Sequence, residues 1–246
     1  MKVTLLCENV SSNKCWLAEW GFSAFVETDG VNILFDTGYS DVFKRNAEQA
    51  NINLDDADFV VLSHYHDDHT GGLSFYKFAE KKKIILHPRI LAAMPADRVA
   101  NIRENFEIIE TTSPYEFAPG IFYLGEIPRN MPFEKGSHKG DPMPDDSAIA
   151  IKTDKGAAVI TGCSHAGICN ICEHAKRVTG QNLYAALGGF HLLGDQPEVT
   201  QKTIEYFKQE APQKLFPMHC VDFPNMAQFH VHLGCRKYSS GETIDL

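Results

Sequence analysis

An apolar run at residues 59–62 opens directly onto ten residues that read SHYHDDHTGG. A short run with no polar alternation is typical of a strand buried on both faces. The polar segment after it contains the pattern His-x-His-x-Asp-His, at His64, His66, Asp68 and His69. Side chains two residues apart in an extended segment project to the same side, so the imidazoles of His64 and His66 can share one ion. The segment therefore predicts a metal site at the end of a buried strand.

The donor types limit which ion such a site would hold. Imidazole and carboxylate groups suit zinc, iron or manganese, and the absence of thiolates from this segment argues against a closed structural zinc site. The alternative is a polar loop whose histidines simply meet solvent. Four ligand-type residues within six positions favour metal binding over that alternative.

Strand and helix signals recur through the first half of the chain. Residues 22–28 and 31–35 flank Asp29-Gly30, a dipeptide that favours a tight hairpin. A helix is predicted from Ser40 or Asp41 toward residue 50, because both residue types are good helix caps. A further helix is predicted over residues 73–82, leading into a strand at 84–86.

The second half alternates regularly between strands and helices. Strands are predicted at 157–161, 183–187 and 214–217, and helices at 168–177, 199–209 and 225–230. One histidine follows each strand: His165, His191 and His219. Functional residues of layered α/β folds gather on the loops at strand ends. Three such histidines, added to the His-x-His-x-Asp-His pattern, favour metal binding over three structural histidines.

Composition narrows the class of protein and its partners. At 246 residues, 43% of them hydrophobic, the chain can bury one sizeable core, and a single domain over residues 1–246 is predicted. The formal charge of −9 argues against nucleic acid or an anionic membrane as a partner. A small-molecule substrate is expected, and a homo-oligomer is left open. No convincing signal or anchor begins the chain, and seven cysteines without a disulfide framework favour the cytoplasm.

Five motifs in a fixed order carry a family resemblance: LFDTG, SHYHDDHTGGL, GCSHAG, GGFHL and MHC. In this order they resemble the metallo-β-lactamase superfamily. More narrowly, the chain is similar to the subgroup that includes the dihydropterin–ribofuranosylaminobenzene phosphate synthase of methanopterin biosynthesis and related metal-dependent hydrolases. The resemblance covers nearly the whole chain. It implies an α/β (α+β) fold, a four-layer αββα sandwich with two mixed sheets and a metal cleft at one edge.

The resemblance also implies a ligand set, position by position. It assigns His64, His66 and His165 to a first ion, and Asp68, His69 and His219 to a second. Asp36 of LFDTG matches an acidic position whose role is to orient a histidine ligand from behind. One or two divalent ions are expected, with zinc first and manganese, iron or magnesium as alternatives.

One position departs from the family pattern. Most hydrolytic members carry an aspartate that bridges both metals, and this chain has His191 there. A carboxylate has two oxygens, whereas a neutral imidazole offers one lone pair and cannot bridge. His191 is therefore predicted to bind one ion or to contact a substrate oxyanion. The second ion is predicted to be held more weakly than in relatives with the aspartate.

The predicted activity is hydrolysis of a small ester or phosphoester by metal-activated water. The substrate can itself carry a phosphate group. Asp68 and His191 are the catalytic candidates, and Asp68 would orient the water. The subgroup resemblance implies an alternative, a transferase that joins a pterin diphosphate to an arylamine phosphate. Di-iron redox relatives have a carboxylate in place of His66, which speaks against a redox module. A metal-free binding module would tolerate loss of the histidines.

The polar loop at residues 128–146 is either a lid over the site or a surface insertion. Three basic residues in it, Arg129, His138 and Lys139, are candidates for contacting substrate phosphate, with Arg129 the one we single out.

The cysteines are given minor roles. Cys163 and Cys220 lie beside two of the strand-end histidines in the sequence and are expected near the metals. Neither is a nucleophile candidate, because no base partner is evident. The Cys-x2-Cys pair in the helix predicted at 168–177 is expected to be ordinary core.

Overall fold

A computed structural model describes residues 1–134, 136–137, 140–194 and 196–246 of the chain. The chain forms two compact units: the first contains residues 1–112 and 238–246, and the second contains residues 113–237. Each unit has its own β-sheet, helices and apolar core. A single domain spanning residues 1–246 stays a prediction.

Strands and helices are numbered in chain order. The strands of the described residues are β1 (Lys2–Cys7), β2 (Ser23–Thr28), β3 (Val31–Phe35), β4 (Phe59–Val61), β5 (Lys82–Leu86), β6 (Phe106–Glu110), β7 (Tyr115–Ala118), β8 (Ile121–Tyr123), β9 (Ala148–Thr153), β10 (Gly156–Thr161), β11 (Leu183–Gly189), β12 (Lys214–Met218) and β13 (Thr243–Asp245). The helices are α1 (Val42–Gln49), α2 (Asp67–Thr70), α3 (Pro88–Ala93), α4 (Ala96–Asn105), α5 (Ile168–Thr179), α6 (Pro197–Glu210) and α7 (Phe223–Leu233), with 3₁₀ turns at Leu54–Asp56 and Gly71–Phe75.

The sheet of the first unit has the spatial order β13-β1-β2-β3-β4-β5-β6. The pairs from β13 to β3 are antiparallel and the pairs from β3 to β6 are parallel. The predicted hairpin is present, and Asp29 and Gly30 have φ of 45° and 77°. Positive φ at both turn residues is what a two-residue hairpin of this twist requires. Because β3 and β4 run parallel, the loops that follow them leave the same edge of the sheet.

The helix predicted over residues 73–82 is wrong. The chain instead makes the 3₁₀ turn Gly71–Phe75, and Tyr76 then has an extended backbone that leads to β5. Both Leu73 and Phe78 are buried in the core of the first unit. In an α-helix, side chains five residues apart point about 140° away from each other. An extended connection lets both side chains reach the same core, so tertiary packing overrides the local helix signal.

The sheet of the second unit has the order β12-β11-β10-β9-β8-β7. The pairs among β10, β11 and β12 are parallel, and the pairs from β7 to β10 are antiparallel. Parallel neighbours need crossover connections, and α5 and α6 supply them. Ile171 of α5 and Phe207 of α6 are buried in the core of this unit, where their burial stabilises the crossovers.

The prediction of a mixed α/β fold with two mixed sheets is confirmed. The predicted alternation in the second half matches β10, α5, β11, α6, β12 and α7 in order. In the described part of the chain, every helix is too short or too polar to span a bilayer.

Candidate metal centre

The loop after β4 positions the first set of candidate ligands within the first unit. β4 lies between β3 and β5, so its last residues are buried on both faces. The chain then passes through His64 and His66 before the short helix α2 brings in Asp68 and His69. His64 and His69 are fully buried, whereas His66 and Asp68 are partly exposed.

The imidazoles of His64 and His66 have the spacing of two ligands on one ion. His64 Nε2 lies 3.1 Å from His66 Nδ1, and the two ring centroids are 4.7 Å apart. Two nitrogens bound to one tetrahedral zinc at about 2.0–2.1 Å are about 3.3 Å from each other. The residues present therefore fit a divalent metal ion.

Asp36 and Ser63 contact the Nδ1 atoms of His69 and His64 and so orient the two rings. Asp36 Oδ1 accepts the Ser63 backbone N–H at 2.8 Å, and Asp36 Oδ2 accepts the Ser63 hydroxyl at 2.7 Å. Asp36 Oδ2 also lies 2.7 Å from His69 Nδ1, and Ser63 Oγ lies 2.9 Å from His64 Nδ1. Because a carboxylate can only accept, we assign the proton of His69 to Nδ1, which leaves Nε2 a lone pair for a metal. The Ser63 hydroxyl gives its proton to Asp36, so its oxygen accepts from His64 Nδ1 and sets the same tautomer there.

Asp68 is the most open carboxylate of this set. Its Oδ2 lies 3.7 Å from His69 Nε2, and its side chain is 17% exposed while that of His69 is completely buried. A carboxylate beside a metal-facing nitrogen, with access to solvent, can bind an ion and can also accept a hydrogen bond from water.

The second unit brings together the strand-end histidines. His165, His191 and His219 follow β10, β11 and β12, which are parallel neighbours whose carboxyl ends meet at one edge. His191 and His219 each have φ of 48°, and Ser164 has φ of 63°. A non-glycine residue in this left-handed region costs about 1–2 kcal/mol, and such strain collects at functional sites.

The thiol of Cys163 lies close to two candidate imidazole donors of the second unit. The rings of His165 and His191 are 4.2 Å apart between centroids. The thiol sulfur of Cys163 lies within 4.8 Å of a ring nitrogen of His165 and within 4.8 Å of a ring nitrogen of His219. His165, His219 and Cys163 are all buried. The thiol of Cys163 is thus shared between two imidazoles, and the third imidazole, of His191, lies tilted beside that of His165.

Arg129 makes hydrogen bonds to several backbone carbonyl oxygens. Its guanidinium donates to the backbone carbonyl oxygens of Gly136 and Pro142, and also to those of His165 and Met143, at 3.3 Å and 3.2 Å. These bonds join Arg129 to the backbone at residues 136, 142–143 and 165, and its contact with a substrate phosphate stays a prediction.

A cavity of about 320 Å³ lies within the second unit beside His165 and His191. Phe133 and Phe190 provide aromatic walls, and Ser164 adds a hydroxyl. The Ser164 hydroxyl donates to the Gly189 carbonyl oxygen at 2.6 Å, which braces the two strand-end loops against each other. Pockets of this size and mixed lining accept small organic ligands.

Two buried carboxylates support the walls of this cavity. Asp146 Oδ2 accepts the backbone N–H of Ala166 at 2.8 Å, and burial raises the pKa of Asp146 to about 7. Glu134 accepts the backbone N–H groups of Cys169 and Asn170 at 2.8 Å each, in the first turn of α5. Burial raises the pKa of Glu134, and the two N–H donors act against that rise. A carboxylate at a helix N-terminus is also stabilised by the helix dipole, so Glu134 fastens the loop to α5.

Some site residues were not predicted from the sequence, and some predictions concern residues outside the described ranges. Ser63 was missed, although it adjoins His64 in the sequence. Asp146 was missed because only the fold brings its loop to the residue after His165. The predictions for His138 and Lys139 fall outside the described residues.

Known proteins resemble this chain over most of its length. The sequence model of the metallo-β-lactamase superfamily matches residues 21–212. The 7,8-dihydropterin-6-methyl-4-(beta-D-ribofuranosyl)-aminobenzene-5'-phosphate synthase of Methanocaldococcus jannaschii is 32% identical over 259 aligned positions, which cover 91% of this chain and 88% of that protein.

Solved structures show the same fold. The crystal structure of Tm1679, a metal-dependent hydrolase of the beta-lactamase superfamily, has a TM-score of 0.86 at 27% identity and covers 100% of this chain and 99% of its own. Zn(2+)-bound PqqB from Methylobacterium extorquens shares the fold at a TM-score of 0.62 and 17% identity, with 100% of both chains covered. Sequence match, motif order and fold agree, and the chain belongs to the metallo-β-lactamase superfamily.

Proposed function

We propose that this protein is a metal-dependent hydrolase that acts on a small ester or phosphoester. The superfamily fold implies divalent-metal binding. The proposed ligands are His64, His66, Asp68, His69, His165 and His219, with zinc as the ion and two ions as the full complement. The observation that carries the proposal is the His64–His66 pair, whose donor nitrogens are 3.1 Å apart at the end of a buried strand.

A bound divalent ion supplies a Lewis acid that lowers the pKa of water and polarises a substrate oxygen. Asp68 is proposed to orient the attacking water and to accept its proton. Asp36 keeps the Nε2 lone pair of His69 directed at the ion by accepting the proton on Nδ1. His191, at the cavity, is proposed to donate a hydrogen bond to the oxyanion that develops on the substrate. The aromatic walls of the cavity would seat the organic part of the substrate and exclude water.

Hydrolysis is the first candidate because the chain resembles Tm1679, described as a metal-dependent hydrolase, over its full length. A transferase is the second candidate, and the observation that favours it is the 32% identity to a synthase. In that reaction class the donor set would stabilise a diphosphate leaving group while an arylamine attacks a pterin methylene carbon. The aromatic side chains of Phe133 and Phe190 in the cavity wall suit a planar ring in either case.

Zinc-loaded protein is expected to hydrolyse a chromogenic phosphodiester or carboxylic ester and to form no carbon–nitrogen product. The measurement is a parallel assay: release of nitrophenol from the chromogenic substrates, and mass spectrometry of a mixture of dihydropterin diphosphate with an arylamine phosphate. Chelator-treated protein is the blank. Release of diphosphate with an arylamine–pterin product, and no hydrolysis of the esters, would establish the transferase instead.

We expect the second ion to be lost on dialysis and to be retained when His191 is replaced by Asp. An aspartate offers two oxygens that can span a metal pair, whereas the neutral imidazole offers one lone pair. Asp is also among the non-glycine residues that tolerate positive φ, so the backbone at His191, with φ of 48°, should persist. The measurement is metal content per chain after dialysis against buffer. Two tightly held ions in the unaltered protein would contradict this expectation.

A further inference from the structure

Cys163 occupies a position that sets it apart from the other buried cysteines of the second unit. Cys169, Cys172 and Cys235 are part of the apolar core cluster of that unit. Cys163 is equally inaccessible, at 4% exposure, yet it lies outside that cluster and its sulfur is within 4.8 Å of imidazole nitrogens of His165 and His219. A buried cysteine that only fills space would be expected among aliphatic neighbours.

The neighbouring Cys220 has a different environment. Its thiol donates to the backbone carbonyl oxygen of Cys163 at 3.3 Å, and its sulfur accepts the backbone N–H of His191 at 3.2 Å. Both contacts are with backbone groups, and they join the strand-end loops that carry Cys163 and His191. Cys220 therefore positions these loops and serves as a matched control for Cys163.

The donor chemistry around Cys163 is that of a transition-metal site. Imidazole together with thiolate is a donor combination that suits zinc, cobalt, iron or copper and disfavours magnesium and manganese, which prefer oxygen donors. A nitrogen and a sulfur bound to one tetrahedral zinc, at about 2.1 Å and 2.3 Å, lie about 3.5 Å apart. The present spacing, within 4.8 Å, differs from that distance by no more than about 1.3 Å, which side-chain rotation can supply.

We propose that Cys163 is a thiolate ligand in the metal centre, joining the imidazole donors of His165 and His219. Binding exchanges the Sγ–H bond for an Sγ–metal bond, and the proton leaves to solvent. The resident ion is then a borderline-soft transition metal such as zinc, and magnesium does not replace it. This inference rests on the proposed function in one respect, that the chain binds a divalent ion at all.

Cobalt(II) is the probe, because sulfur bound to cobalt gives a charge-transfer absorption in the near ultraviolet and four-coordinate cobalt gives visible bands. Metal-free full-length protein is titrated with cobalt(II). The unaltered protein and Cys220→Ser are expected to show both absorptions. Cys163→Ser is expected to lose the near-ultraviolet band and keep the visible ones, because its histidine donors remain.

The outcomes separate this inference from the proposed function. Visible bands without a near-ultraviolet band in the unaltered protein overturn the sulfur ligand while leaving the metal centre intact, and so does a near-ultraviolet band that survives in Cys163→Ser. No cobalt absorption in any protein overturns metal binding itself. If Cys163→Ser fails to fold, zinc-edge X-ray absorption of the Cys220→Ser protein decides. A sulfur scatterer at about 2.3 Å supports the inference, and nitrogen and oxygen alone overturn it.

Discussion

Replacing His66 with alanine is expected to abolish metal-dependent hydrolysis while leaving the protein folded. His66 is partly exposed and is the cap residue of α2, where its side chain makes no capping hydrogen bond. Its truncation should therefore change the free energy of unfolding by no more than about 0.5 kcal/mol, as for other surface positions. His64 is fully buried, so His66 is the better residue for separating chemistry from stability.

The loss of metal affinity in His66→Ala should exceed the roughly 10- to 100-fold that follows from removing an outer hydrogen-bond partner of a ligand. Metal content after gel filtration and kcat/KM on the hydrolysed ester are the two measurements. His232→Ala is the matched control, because His232 is an exposed histidine on α7 with no place in the proposed ligand set. A His66→Ala protein with the metal content of the unaltered chain would show that the 3.1 Å histidine pair is not a metal site.

Asp36→Asn is expected to lower zinc affinity roughly 10- to 100-fold and stability by ~1–3 kcal/mol. Asp36 accepts from three donors: the Ser63 backbone N–H, the Ser63 hydroxyl and His69 Nδ1. An asparagine has one acceptor oxygen, and its amino group would meet a donor. His69 must then either lose this bond or move its proton to Nε2, where the metal needs a lone pair.

The effect of Asp36→Asn on zinc affinity can be measured separately from its effect on stability. Asn tolerates positive φ nearly as well as Asp does, so the backbone at position 36, with φ of 52°, should not change. Zinc affinity is measured by competition with a chromophoric chelator, and stability by thermal unfolding of the metal-free protein. Ser63→Ala, which leaves the Asp36–His69 contact in place, should lose less affinity. Unchanged zinc affinity with lowered stability would assign Asp36 a structural role only.

Local signals predicted those parts of the fold that local physics determines. The Asp29-Gly30 turn requires positive φ at both residues, and few dipeptides other than this type supply it. The alternation after residue 156 also emerged correctly, because parallel strands need helical crossovers. Residues 73–82 were mistaken for a helix because the choice there depends on burying Leu73 and Phe78 in one core. β6 and β7 were not predicted, since their partly exposed residues give only a weak alternation pattern.

The candidate site, like the fold, was predicted only in part from the sequence. The histidines could be selected from sequence because they follow strands, and parallel strands present their ends at one edge. The hydrogen bonds of Arg129 could not be predicted from the sequence. Only the folded loop brings its backbone carbonyl partners at Gly136, Pro142 and His165 to it. Cys163 was expected near the metals from its place close to His165 in the sequence, but its distance to the imidazole of His219 depends on the fold.

The left-handed backbone at His191 lowers the stability of the fold, whereas the imidazole at that position is proposed to serve the reaction. Glycine is the residue most at ease at a φ of 48°, so His191→Gly would relieve about 1 kcal/mol of strain while deleting the imidazole. A laboratory selection for heat resistance alone would therefore tend to erase this histidine. A variant engineered for thermal stability should therefore keep His191. Its stabilising substitutions should be placed in helices distant in sequence, such as α4, which contains no residue with positive φ.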